Sequence, residues 1–145
     1  MITGIFEILE EASKKKNQKE QIDYLRQFQD NAVLKTILAG AFYEGVKWNL
    51  PPGNPPFKPC DPINAESFLY AETKRLYLFC EGGPALKPLK REALFIEMLE
   101  SVHPKDAEIL LAMKNKKLPY KGITKALVNK AFPGLVEDEE VQEVS

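Results

Sequence analysis

Histidine occurs once in the 145 residues, as His103, so no second imidazole exists to complete a His-based dyad or a His-rich metal site. Cysteine occurs twice, as Cys60 and Cys80, without a CxxC pair. Two isolated thiols make no disulfide framework, and the setting they imply is reduced and intracellular, hence cytoplasmic. No run approaches the roughly 18 consecutive apolar residues of a membrane-spanning helix. The start, Met1-Ile2-Thr3-Gly4-Ile5-Phe6-Glu7, lacks a basic n-region and does not read as a secretory signal. Catalytic signatures are missing as well. Carboxylates at Glu7, Glu10 and Glu11 and at Glu97 and Glu100 have the spacing of solvated helix faces, and no EF-hand loop occurs. Gly82-Gly83-Pro84 is followed by no GK[ST], so it reads as a turn rather than a phosphate loop. The expectation is a non-catalytic protein with no cofactor, no metal and no small-molecule substrate.

What is present suits one folded domain. Apolar residues at 44% and charged residues at 28% exclude a disordered chain, and the length allows one core but not two. The expected organisation is a helical domain over 1–136 and an acidic, solvated tail over 137–145. Hydrophobic spacing is helical almost throughout. Ile2, Ile5, Phe6 and Leu9 start a short helix ending near Ser13, followed by Lys14-Lys15-Lys16, which suits a helix C-terminus and the loop after it. Asn17 with Glu20 resembles an N-cap and its reciprocal partner, opening a helix that turns Ile22, Leu25 and Phe28 inward. Asp30 or Asn31 caps the next, which carries Val33, Leu34, Ile37, Leu38, Ala41 and Phe42 and stops at Gly45. Six prolines in the thirteen residues Leu50–Pro62 make a long ordered or extended loop, since proline lacks an amide donor and drives its predecessor out of the α region. Helices are expected over Ala65–Cys80, over Pro88–Ser101, from Pro104 at a first helical position, and over Gly122–Phe132 before Pro133-Gly134. The fold class is therefore all-α, a bundle of six or seven helices. His103, just before Pro104, reads as a capping or exposed residue.

Net charge is only -1, but the charges are segregated. Residues 1–108 nearly balance. Residues 109–136 hold Lys114, Lys116, Lys117, Lys121, Lys125 and Lys130 with no acid, and the tail then holds five acids with no base. The stretch 114–132 has the form helix, basic turn, helix. Its second helix is expected to begin at Gly122-Ile123-Thr124, where free amides and the helix dipole favour an anion. Lys121, Lys125 and Asn129 share a face at a spacing of four. This pattern points to phosphate-backbone contact through Lys114, Lys116, Lys117, Lys121, Gly122, Thr124, Lys125 and Asn129. Without an arginine in the segment, bidentate reading of guanine is not expected. Tyr120 would either lie against a sugar or cap the core.

Asp106–Met113 and then Lys121-Gly-Ile-Thr-Lys-Ala-Leu-Val-Asn-Lys-Ala-Phe-Pro-Gly-Leu-Val136 resemble the end of the N-terminal DNA-binding domain of ATP-dependent DNA ligases, most closely those of T-even-like phages. Ile8–Ala12, the Lys/Gln-rich start of the second helix and Leu34–Tyr43 agree more loosely, and the proline-rich middle does not align. The chain also resembles a family of small uncharacterised proteins of T-even-like phages of marine bacteria. The ligase resemblance implies a helical bundle that meets the duplex backbone through the segment matching Lys121–Lys130. It does not extend to the Lys-x-Asp-Gly nucleophile motif, which this sequence lacks. The expectation is a phage-encoded, DNA-associated accessory protein without the enzyme, acting on duplex or nicked DNA without sequence preference. The competing expectation is an adaptor or inhibitor that docks on a phage or host protein, or a virion component, using Trp48, Pro51, Pro52 and Phe57 as an exposed surface. Neither involves a membrane.

Overall fold

The structure is a computed structural model that describes residues 4–51, 53–59, 61, 73–116, 118 and 120–136. Among these residues there are six α-helices and one 3-10 helix, and the only strand-like pairing is an isolated antiparallel bridge between Trp48 and Cys80. The α-helices are α1 (Ile5–Ser13), α2 (Gln18–Arg26), α3 (Ala32–Phe42), α4 (Pro88–Ser101), α5 (Pro104–Lys114) and α6 (Lys125–Ala131), and the 3-10 helix is Thr73–Phe79. The fold is all-α.

Helix starts follow side-chain chemistry. Asn17 Oδ1 accepts from the Glu20 amide at 2.9 Å, while Glu20 reaches back to the Lys16 amide at 3.2 Å, so two unpaired donors at the start of α2 are satisfied. Asn31, not Asp30, caps α3 by accepting from the Leu34 amide at 3.0 Å. Pro88 and Pro104 each open a helix, where a missing N–H costs nothing. His103 caps α5 through Nδ1, which accepts from the Lys105 amide at 3.1 Å, and its ring stacks on Phe6 at 5.1 Å.

Helix α5 is the centre of the bundle. Ala107, Ile109, Leu110, Leu111 and Met113 are all buried, so the helix is apolar around most of its circumference and packs on α1, α3 and α4 together. Each fully buried Leu, Ile or Met contributes about 1.5–3 kcal/mol by leaving water. Ile8, Leu9, Leu34, Leu38, Phe95 and Leu99 close the same core from the surrounding helices. The 3-10 helix adds Leu76 and Phe79, with Phe79 edge-on to Phe95 at 5.3 Å. Helix α6 packs against α2 and extends the core with Leu127 and Val128.

Four boundaries differ from the sequence expectation. Helix α3 ends at Phe42 with Tyr43 as its cap, short of Gly45. Only Thr73–Phe79 of the expected Ala65–Cys80 helix is described, and it is 3-10; residues 62–72 lie outside the described residues, as does the tail 137–145. Helix α6 begins at Lys125 rather than Gly122 and ends at Ala131. The reason is local. Gly122 has φ +82°, a left-handed conformation that makes a turn rather than a helical start, and Thr124 takes the capping position.

Candidate nucleic-acid interface

The lysines of residues 114–125 part company in the folded chain. Lys114, expected at the phosphate, is only 8% exposed. Its ammonium donates to the carbonyls of Pro51 at 2.7 Å and Gly53 at 2.5 Å and to Asn115 Oδ1 at 3.2 Å, so all three donors are used inside the protein. Burial pulls its pKa below the usual lysine value, and the Glu92 carboxylate partly offsets that. Lys114 thus clamps the proline-rich loop to the end of α5. Lys116 is likewise engaged within the fold. Its backbone is left-handed at φ 61°, and its Nζ donates to the carbonyls of Gly40 at 3.0 Å and Tyr43 at 2.9 Å, which lie at the C-terminal end of α3. These are carbonyls that a helix terminus leaves without a partner, and a cation there also meets the negative end of the dipole. Lys117 lies outside the described residues.

The remaining expected contacts lie on or near α6. Lys121 is exposed and makes no hydrogen bond or ion pair among the described residues. Lys125 is exposed and pairs with Glu44 at 3.2 Å, a surface pair worth about 0–1 kcal/mol. The Thr124 hydroxyl is engaged by the Leu127 amide at 3.2 Å, and Asn129 is half-buried. Gly122 is pressed against α2: a Cβ there would stand 2.6 Å from Gln21 Nε2. The expected anion site at a glycine helix start is therefore replaced by an internally capped start in a seven-residue helix. Tyr120 packs on the core, and burial pushes its phenol up to about 12, with Glu10, Glu108 and Asp106 adding to the effect.

The α2–α6 contact assembles something the sequence reading missed. Lys130 Nζ donates to Gln18 Oε1 at 3.2 Å, across 112 positions of sequence. Lys16 and Lys19 lie within two residues of Gln18 and are exposed, as are Lys14 and Lys130. Arg26, at the end of α2, fixes the contact by donating to the carbonyls of Lys130 at 2.9 Å and Ala131 at 3.4 Å, capping the C-terminus of α6. Two acid-free stretches, 12–19 and 109–136, thus meet at one corner. The Lys14–Lys16 run was legible as a charge cluster, but nothing in a single sequence signals which distant helix it adjoins. Glu20 shares the corner, with its carboxylate turned to the start of α2.

The surface expected for a protein partner is also rearranged. Trp48 is half-buried rather than exposed: its indole donates to the Gly40 carbonyl at 2.9 Å, and its strand-like bridge to Cys80 ties the chain after α3 to the end of the 3-10 helix. Phe57 is half-buried against the core. Pro51 is exposed with its carbonyl held by Lys114, and Pro52 lies outside the described residues. Glu100 and His103 serve separate local ends, the first accepting from the Lys58 amide at 2.7 Å and the second capping α5. No helix among the described residues is long and apolar enough to cross a membrane.

No curated protein matches the chain. Residues 8–120 match a family model described as Family of unknown function (DUF6433), a span that runs from within α1 through α5 and stops before α6. That match takes in well over half of the sequence, and the chain belongs to this family.

Proposed function

We propose that the protein is a non-catalytic, DNA-associated accessory protein that contacts the phosphate backbone through the corner where α6 lies on α2. The contacts are Lys14, Lys16, Lys19, Lys121 and Lys130, with Lys125 at the edge. The observation that carries this reading is the meeting of two lysine-rich, acid-free segments at the Lys130–Gln18 hydrogen bond. Phosphate binding needs mobile, solvated cations that can exchange counterions for a polyanion, and these lysines are exposed, whereas the ammonium groups of Lys114 and Lys116 are bonded to carbonyls of the chain. The corner holds no arginine free to fork onto a base, since Arg26 is engaged with the end of α6, so binding is to the backbone and independent of sequence. The likeness of 121–136 to the DNA-ligase domain supports the same corner, and with it a phage setting in the host cytoplasm.

Salt-titrated binding to duplex, nicked and single-stranded DNA tests this. Each lysine that neutralises a duplex phosphate adds about 0.9 to the slope of log affinity against log salt. Affinity should fall steeply as salt rises, and the triple substitution Lys19→Glu, Lys121→Glu, Lys130→Glu should abolish it. Binding that ignores salt, or survives the triple substitution, would remove the proposal.

A further inference from the structure

Past the corner the chain changes sign. Val136 is buried, and the sequence then runs Glu137-Asp-Glu-Glu-Val-Gln-Glu143 before Val144 and Ser145, five acids with no base. The fold fixes where this segment departs. The Leu135 N–H donates to the Phe132 carbonyl at 3.1 Å, Gly134 turns at φ +85°, and Arg26 of α2 holds the carbonyls of Lys130 and Ala131. The acids are therefore tethered at the end of α6 that carries Lys130.

Reach follows from chain geometry. A four-residue turn keeps its end Cα atoms within about 7 Å and each further residue adds at most about 3.6 Å, so Lys130 and Val136 stand no more than about 18 Å apart. Residues 137–143 extend over up to about 25 Å. The Lys130 ammonium is itself bonded to Gln18, which is one residue from Lys19 and two from Lys16. The corner thus lies within reach of the carboxylates. Charge favours the contact, because an extended Glu137–Glu140 carries one negative charge per about 3.5 Å, close to the 3.4 Å of a single DNA strand. Tethering favours this segment over a free anion. Single exposed ion pairs are weak, but a short tether holds several of them at an effective concentration of about millimolar.

We infer that the carboxylates of 137–143 occupy the corner in the absence of nucleic acid, on Lys16, Lys19 and Lys130, and that a phosphate backbone has to displace them. The segment is a built-in competitor. It turns away short or sparse anions and admits a duplex, whose two strands together carry one charge per about 1.7 Å. The contact stands without the DNA reading, whereas the competition rests on it.

The test uses the full chain with Asp138→Asn, Glu139→Gln and Glu140→Gln. A control of equal charge carries Glu81→Gln, Glu97→Gln and Glu108→Gln, three exposed acids outside α2 and α6. Without DNA at low salt, the tail substitutions should move the side-chain NMR shifts of Lys16, Lys19 and Lys130 and leave those of Lys87 and Lys90 in place. The shifts of native and tail-substituted chains should coincide at about 1 M salt, where screening cuts the reach of a charge to about 3 Å. With duplex DNA at low salt, the tail variant should bind about fivefold tighter than the control, the scale of a few weak ion pairs released. Corner shifts that ignore the tail, or equal movement at Lys87 and Lys90, would overturn the contact. Equal DNA affinity of variant and control would overturn the competition. Tail-dependent shifts with no DNA binding by any chain would uphold the contact and remove the DNA reading instead.

Discussion

Lys114 and Lys116 carry the same charge as Lys121, yet their ammonium groups are turned inward to carbonyls while that of Lys121 is left to solvent. A lysine run in a sequence cannot reveal this, because the deciding partners are carbonyls 61 to 76 positions away, on the proline loop and at the end of α3. Lys114→Met should therefore cost about 1–3 kcal/mol, the range for leaving hydrogen-bonded buried groups without their partner. Denaturant unfolding reads this as a lower midpoint, and DNA affinity should hold. Stability unchanged with DNA affinity lost would restore the phosphate role. Tyr120 gives a residue-scale test by pH. Burial holds its phenol protonated to about 12, against 10 for an ordinary tyrosine. Between those values the folded chain keeps a proton that the unfolded chain has released, so this group's contribution to stability is complete below 10 and is lost as pH rises through the window. Tyr120→Phe should flatten the decline of unfolding free energy in that range; an identical decline would show that Tyr120 is not held there.

At the scale of elements, most helices were legible because their boundaries are written in local chemistry. Asn17 with Glu20, Asn31, and the prolines at 88 and 104 each act within one turn of the residue that signals them. The start of α6 was not, because Gly122 signals a turn or a helix equally until its contact with Gln21 is known. Gly40, inside α3, separates local from tertiary reasoning most sharply. By helix propensity alone Gly40→Ala should stabilise by about 1 kcal/mol. A Cβ there would stand 2.8 Å from both Met113 Sδ and Trp48 Cζ2, in the contact between α3 and α5. Overpacking of this kind costs about 1–3 kcal/mol, so Gly40→Ala should lower the thermal midpoint. A raised midpoint would mean that α3 and α5 do not meet this closely. At α6, Thr124→Ala should cost about 1 kcal/mol through the lost cap on the Leu127 amide, and Thr124→Ser should recover most of it. Circular dichroism melts of the pair distinguish capping from general surface change.

At the scale of the molecule, α5 organises the core, and α2 with α6 form an annexe that brings Lys130 to the start of α2. The fold class was legible from periodicity, since nearly every apolar residue has a partner three or four positions away. The candidate site was legible only in part. The sequence located the acid-free segment, but the corner needs the α2–α6 contact to join Lys130 to the Lys14–Lys19 turn. Where charge is gathered by packing, the decisive comparison is between faces of one molecule. Duplex DNA binding at low and moderate salt should be measured for Lys19→Glu/Lys121→Glu/Lys130→Glu and for Lys87→Glu/Lys90→Glu, the latter at the exposed start of α4. The account predicts that the first set loses binding with its salt dependence, while the second keeps the salt slope and most of the affinity. Equal loss from both sets, or no loss from the first, would contradict it.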